Sequence, residues 1–352
     1  MIPRRLKTDT ATPERPNWRE YQDDLKWSAA KRRFVNGFLK YSVLALLLFV
    51  VVYGITSGLD GKSVPRLATD SFSLFNNGHS FDKKTVQTFL NHASFVNLKK
   101  KSFEVISNDH KFRVETSLDI GLQSYLLSKL NTSTARYIGI VAMEPATGKI
   151  LSMVSFNKTD PSDNPCLDNR FPAASIFKIV TASAAIEKYG FGSSHVFTYN
   201  GMKHTLYKSQ LKERKNRYTN RITFEDAFAQ SVNPVFGKIG SLYLGKDTLE
   251  EYAKAFGFNR NINFEILVDP SCVDLSDKPY QWAEIASGFN NETKMSPIHG
   301  AMMASAVINQ GKLLEPTIVD RIVNEKGRVV YNSKLIPMSR TMTPDASHTL
   351  NH

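Results

Sequence analysis

The stretch Arg170-Phe171-Pro172-Ala173-Ala174-Ser175-Ile176-Phe177-Lys178, continued by Ile179-Val180-Thr181-Ala182-Ser183-Ala184-Ala185-Ile186, constrains the fold most. Its run of small and apolar residues is too hydrophobic for a surface helix and predicts one buried in a core. A proline opens the stretch, and Ser175 and Lys178 follow at successive three-residue steps. Residues at i and i+3 lie one above the other on a helix, so the Lys178 amine falls within reach of the Ser175 hydroxyl. Acyl transfer needs a serine alkoxide, and a desolvated lysine with a lowered pKa can generate one.

The same Ser-x-x-Lys pattern occurs at Ser28/Lys31, Ser155/Lys158 and Ser209/Lys212. None of those is followed by an apolar helix that could bury the pair. They read as polar segments with solvated lysines.

The 352 residues allow one large or two modest domains with appendages, and 41% hydrophobic content supports a real core. The net charge is +12, of which residues 1–40 carry +5 and residues 60–352 carry +7. A basic exported domain suits an anionic partner such as a membrane surface or cell-wall polymer, although a basic surface by itself requires none. No Lys/Arg-rich run interleaved with aromatics is read, so no nucleic-acid partner is expected. Cys166 and Cys272 make no disulfide framework and no metal-ligand spacing; whether they pair in an oxidising compartment stays open.

Residues 1–37 are polar and mixed-charge and read as a cytoplasmic tail. Residues 38–57 hold the apolar run Tyr41 to Ile55, flanked on its N-terminal side by Lys31, Arg32, Arg33 and Lys40. With no small-x-small cleavage site after it, this run is expected to be an uncleaved transmembrane signal-anchor, with everything beyond it exported. Residues 58–112 read as a polar, membrane-proximal connector. From 113 to 352 the texture is that of one α/β domain. Ile120 to Leu130 has helical spacing; Tyr137 to Met143 and Lys149 to Ser155 flank a turn at Pro145-Ala146-Thr147-Gly148 as a hairpin. Thr223 caps a helix that Pro234 is expected to stop, and Ser296-Pro297 opens another ending near Gly311. A second hairpin is expected across Glu325-Lys326-Gly327.

These residues carry a resemblance. Phe171-Pro172-Ala173-Ala174-Ser175-Ile176-Phe177-Lys178 resembles the nucleophile segment of penicillin-binding proteins, and Ser231-Val232-Asn233 resembles their Ser-x-Asn motif. The likeness covers about residues 115–340. It includes Leu118-Asp119-Ile120-Gly121-Leu122-Gln123, the hairpin at Glu144 to Lys149, Ala255-Phe256-Gly257-Phe258, and Met295-Ser296-Pro297-Ile298-His299-Gly300-Ala301-Met302-Met303. It implies a mixed α/β (α+β) transpeptidase fold, an antiparallel sheet with a helical subdomain, in a class B-like, monofunctional member. By that resemblance Ser175 attacks the carbonyl of a terminal D-Ala-D-Ala bond and Lys178 takes its proton. Ser231 relays a proton to the leaving amine, Asn233 holds the substrate backbone, and the Ser175 N–H supplies part of the oxyanion hole. No metal or cofactor is implied. The implied partners are peptidoglycan stem peptides, β-lactams and a membrane glycosyltransferase, at the bacterial inner membrane in a single-pass arrangement.

The family's third motif, Lys-Thr/Ser-Gly on a sheet strand, has no match here, so the domain is expected to be cut short before that strand, with an unpaired sheet edge. Ser162-Asp163-Asn164 precedes the nucleophile and reads as an ordinary turn. Two alternatives are carried with the transpeptidase: a non-catalytic membrane-anchored scaffold or fragment, and a serine β-lactamase or β-lactam sensor. There is no Gly-x-Ser-x-Gly elbow and no zinc-protease histidine spacing.

Overall fold

A computed structural model describes residues 80–351; the expected tail and transmembrane segment lie outside the described residues. Among the described residues no helix is long and apolar enough to cross a membrane.

Asp82 caps α1 (Lys83–Gln87), and a 3₁₀ turn (His92–Phe95) follows. β1 (Ser102–Ser107) and β2 (His110–Thr116) then form a hairpin across Asn108 and Asp109, whose φ angles of 50° and 64° are those of a tight I′-type turn. Phe112 and Val114 face inward while Lys111 and Arg113 face solvent, the alternation of a half-buried strand. The expected boundary between connector and domain at 112/113 therefore falls inside a strand.

α2 (Ile120–Lys129), capped by Asp119, leads to the hairpin β3 (Tyr137–Met143) and β4 (Ile150–Asn157). β5 (Phe171–Pro172) and a 3₁₀ turn (Ala174–Phe177) deliver the chain to α3 (Lys178–Tyr189), which stops at the left-handed Gly190. A hairpin of β6 (Val196–Tyr199) and β7 (Asn220–Thr223) precedes α4 (Phe224–Ala229), α5 (Asn233–Lys238), a π-helical turn (Ile239–Leu244) and α6 (Gly245–Ala255). Then come α7 (Pro279–Ser287), β8 (Lys294–Met295), α8 (Pro297–Ile308), β9 (Lys312–Leu314), β10 (Val319–Asn324), β11 (Val329–Asn332), β12 (Pro337–Arg340) and α9 (Pro344–Asn351).

Every pairing between these strands is antiparallel. The largest sheet runs β1-β2-β10-β11; the other strands pair as β3-β4, β5-β8, β6-β7 and β9-β12. Among the described residues β3 pairs with β4 alone, and all of β3 is half-buried. One core surrounds α3 and takes in Phe177, Phe236, Phe256 and Phe258. A second lies under the four-stranded sheet and α8, with Phe112, Val114, Ile298, Ile318 and Ile322. Glu265 is fully buried in the second core, where it accepts from Thr317 Oγ1 (2.5 Å), Tyr331 Oη (2.6 Å) and the Ile318 N–H (3.1 Å). Burial pushes its carboxyl pKa up. Cys166 is buried, Cys272 is exposed, and both are free thiols.

Candidate active site

Ser175 does not sit on the regular helix. It occupies the 3₁₀ turn between β5 and α3, while Lys178 is the first residue of α3. Side chains three apart eclipse one another on a 3₁₀ turn, so the spacing still brings the pair together: Lys178 Nζ lies 3.0 Å from Ser175 Oγ. The turn is anchored by the pairing of β5 with β8 and by the Ala173 N–H, which donates to the Thr293 carbonyl at 2.9 Å. Ala174 is left-handed at φ 47°, an uncommon conformation for a residue with a Cβ. Its carbonyl packs against Gly288 so closely that a Cβ there would stand 1.8 Å from the Ala174 oxygen. Gly288 is itself left-handed at φ 69° and ends α7. Only glycine meets both demands without strain.

Ser231 and Asn233 arrive from the junction of α4 and α5. The Ser231 N–H donates to Phe228 O (3.0 Å) and the Val232 N–H to Ala227 O (2.9 Å), the two bonds of a Schellman turn. Ser231 fills its left-handed position at φ 53°, where glycine is usual. α4 thus stops before Pro234, as expected, but Asn233 opens the next helix, with Pro234 in its first turn. This places Ser231 Oγ 2.7 Å from Ser175 Oγ. Asn233 Nδ2 donates to His204 O at 3.2 Å, which turns its Oδ1 toward Lys178 Nζ at 2.8 Å.

Ser175 is exposed, whereas Lys178 is buried. Burial lowers the Lys178 pKa from 10.5 to about 8. Its amine has three oxygen neighbours: Ser175 Oγ, Asn233 Oδ1 and the Ser287 carbonyl at 2.5 Å; the Phe236 ring lies 5.7 Å away. The Asn233 and Ser287 oxygens can only accept, so a neutral amine directs its two N–H bonds to them. The lone pair is then left facing Ser175, the only one of the three partners with a proton to give. The arrangement can therefore deprotonate the Ser175 hydroxyl, and Ser231 stands on its other side to pass a proton on.

The four residues expected from sequence, Ser175, Lys178, Ser231 and Asn233, thus join in one hydrogen-bonded cluster. The other candidates stay apart. Asp163 pairs with Arg170 at 2.9 Å and Ser162 bonds Asp160 within their turn; Ser155 is buried against Asn164, and Ser209 and Lys212 lie on an exposed loop. Ser28/Lys31 lies outside the described residues. Sequence reasoning missed the Ser287 and His204 carbonyls and Gly288. A backbone carbonyl has no residue signature, but a Ser-Gly pair closing a helix was a readable C-cap. Among the described residues no cluster of three or more His, Cys, Asp or Glu is placed to hold a metal ion.

A serine flanked by a buried lysine and a second serine, on a mixed α/β scaffold, defines a class of acyl-transfer sites. The family follows from comparison: the profile of the penicillin-binding protein transpeptidase domain matches residues 138–351, and the chain belongs to that family. Stage V sporulation protein D of Bacillus subtilis is 25% identical over 221 residues, covering 58% of this chain and 34% of that protein. Penicillin-binding protein PbpB of Mycolicibacterium smegmatis is 26% identical over 269 residues, covering 67% of this chain and 39% of that protein. The chain therefore spans little more than a third of the length of these relatives. In fold it matches the crystal structure of PBPA from Mycobacterium tuberculosis with a TM-score of 0.58 at 20% identity, covering 67% of this chain and 61% of that one. A penicillin G acyl-enzyme complex of penicillin-binding protein A from the same organism matches with a TM-score of 0.56 at 20% identity, covering 67% of this chain and 61% of that one.

Proposed function

We propose that this chain carries the acylating site of a serine D,D-transpeptidase that cross-links peptidoglycan. The observation that carries the reading is the Lys178 amine, buried with two fixed acceptors and its remaining contact aimed at Ser175. Lys178 takes the Ser175 proton as Oγ attacks the carbonyl of the terminal D-Ala-D-Ala bond. The tetrahedral oxyanion is met by the Ser175 N–H at the start of the turn leading into α3, where the helix dipole also favours negative charge. Collapse breaks the C–N bond, and Ser231 hands the leaving D-alanine amine its proton. An acyl-enzyme ester remains. An amine from a second stem peptide then attacks that ester, forming the new peptide bond and releasing Ser175. A β-lactam is attacked in the same way, its ring amide standing for the D-Ala-D-Ala bond.

The cellular setting belongs to the same proposal. Residues 38–57 would anchor the chain in the bacterial inner membrane with residues 1–37 cytoplasmic, and the exported domain would work beside a membrane glycosyltransferase.

The test is covalent labelling with a fluorescent penicillin. The expected result is one adduct on Ser175, confirmed by peptide mass spectrometry and lost in Ser175→Ala. A wild-type chain that is folded by circular dichroism yet stays unlabelled would overturn the enzymatic reading in favour of a binding or scaffold role.

A further inference from the structure

Between β6 and β7 the chain makes a long excursion, residues 200–219. Loops of this length without secondary structure are uncommon in a domain and are usually functional. This one is held from beneath. Gln210 is buried; its Nε2 donates to Asn200 O at 2.9 Å and its Oε1 accepts from the Tyr207 N–H at 2.8 Å. Leu206 is buried against Gly237, and its carbonyl accepts from Tyr280 Oη at 2.8 Å. Asn200 Nδ2 ties down the Arg214 carbonyl at 2.8 Å.

What the loop presents outward is positive charge. From Lys203 to Arg221 the chain carries seven Lys or Arg and a single acid, Glu213, and all seven cations are exposed. Glu213 is paired with Lys238, a buried lysine 3.1 Å away, so it does not neutralise the cations. Among the described residues none of the seven has an ion-pair partner. Six of the seven lie on the loop itself and Arg221 follows on β7, so the charge is dense along the chain, and what the fold adds is the tether that holds it in place.

The loop is also continuous with the acyl-transfer site. The Asn233 N–H donates to Lys203 O at 2.7 Å and its side chain to His204 O at 3.2 Å, while Lys203 Nζ reaches Gln230, the neighbour of Ser231. A groove of about 510 Å³ lined by Tyr199, Lys203, Arg221, Asp226 and Gln230 lies beside it. The base of the loop therefore adjoins the residues that carry Ser231 and Asn233.

We propose that the 200–219 loop is a docking strip for a carboxylate-rich peptide, which it steers to Ser175. This rests on the acyl-transfer reading and adds to it the charge class of the substrate and the surface that selects it. A preorganised cationic strip raises the local concentration of an anionic ligand and its rate of encounter, and salt screens the effect. Continuity with Asn233 and Ser231 favours a peptide over a lipid headgroup or a nucleic acid, since neither of those offers an acyl group to the serine.

The experiment is fluorescence anisotropy with a fluorescein-labelled tetraglutamyl-D-Ala-D-Ala peptide, on the full chain carrying Ser175→Ala so that acylation plays no part. The expected result is binding that weakens steadily from 20 to 300 mM salt. Affinity should fall at least tenfold in the triple variant Lys212→Glu/Lys215→Glu/Arg217→Glu. It should fall by a smaller factor in the matching triple glutamine variant, which guards against misfolding caused by three added acids. The tetraglutaminyl peptide should bind at least tenfold more weakly. An affinity within twofold of the parent in the triple reversal would overturn the proposal. So would loop-dependent binding of phosphatidylglycerol vesicles or a single-stranded oligonucleotide that is tighter than that of the peptide. Penicillin labelling of the unmodified Ser175 reports on the acyl-transfer reading separately, so failure of one is distinguishable from failure of the other.

Discussion

The protonation of Lys178 should set the pH dependence of acylation. Its pKa is lowered to about 8 by burial, and none of its oxygen partners is a carboxylate that would raise it again. With that value about a tenth of the amine is neutral at pH 7 and about nine-tenths at pH 9; an unshifted lysine would be neutral about 0.03% of the time at pH 7. Burial thus raises the competent fraction about 300-fold at neutral pH. The second-order rate constant for fluorescent penicillin, measured by stopped flow, should rise close to tenfold between pH 7 and 9 and then level. Asn233→Asp sharpens the test, because it sets a carboxylate where Oδ1 now stands 2.8 Å from Nζ. An opposite charge at that range raises a lysine pKa by about 1–3 units, so the midpoint should move to pH 9 or above. The same shift acts on stability. Between about pH 8 and 10.5 the unfolded chain holds a proton on this lysine that the folded chain does not. Its contribution to stability therefore rises with pH across that window, by about 3 kcal/mol in total, and is flat below it. A rate constant that is flat from pH 6.5 to 9.5 in a chain that stays folded would refute the reasoning, as would an Asn233→Asp midpoint unmoved from the parent.

Gly288→Ala should destabilise the fold by at least about 2 kcal/mol in urea titration, since the new Cβ meets the Ala174 carbonyl in a left-handed backbone. Penicillin labelling should fall with it, because the displaced turn holds Ser175. Glu265→Leu should cost about 2–4 kcal/mol, leaving the Tyr331 hydroxyl and the Ile318 N–H buried without their acceptor, while the labelling rate of the folded fraction stays within a few-fold. Cys272 should react with a maleimide in the native chain. Cys166, fully buried and with its thiol pushed up to about 11 by that burial, should react only after unfolding.

The parts of the fold that were legible in the sequence are those whose own side chains announce them. The apolar run behind Lys178 became α3, Thr223 and Ser296 capped the helices they were expected to cap, and Glu325-Lys326-Gly327 turned its hairpin. The i,i+3 argument for Ser175 and Lys178 gave the right contact on the wrong helix type, because a 3₁₀ turn stacks that spacing as well. The β1–β2 hairpin straddles the end of the stretch, residues 58–112, that reads as a polar connector. Its signal was present, with Phe103/Val105 and Phe112/Val114 alternating around Asn108-Asp109, but β1 is too polar to stand out until β10 covers β2 from the other side. The roles of the Ser287 and His204 carbonyls were not legible, since long-range packing places them beside Lys178 and Asn233.

The pairing of β2 with β10 has a consequence for how the protein comes into being. Arg321 reaches Glu115 across 206 residues of sequence, so the central seam of the largest sheet joins chain made early to chain made late. At about 5–20 residues per second of synthesis, the β1–β2 hairpin waits on the order of 10–40 s for its partner. Throughout that interval Phe112 and Val114 lack the cover that β10 and β11 later provide, and β2 offers a free edge to any neighbouring chain. Closure of this seam is therefore a late, high-contact-order event. Until it closes, the unpaired edge and uncovered apolar face leave the nascent chain prone to aggregation.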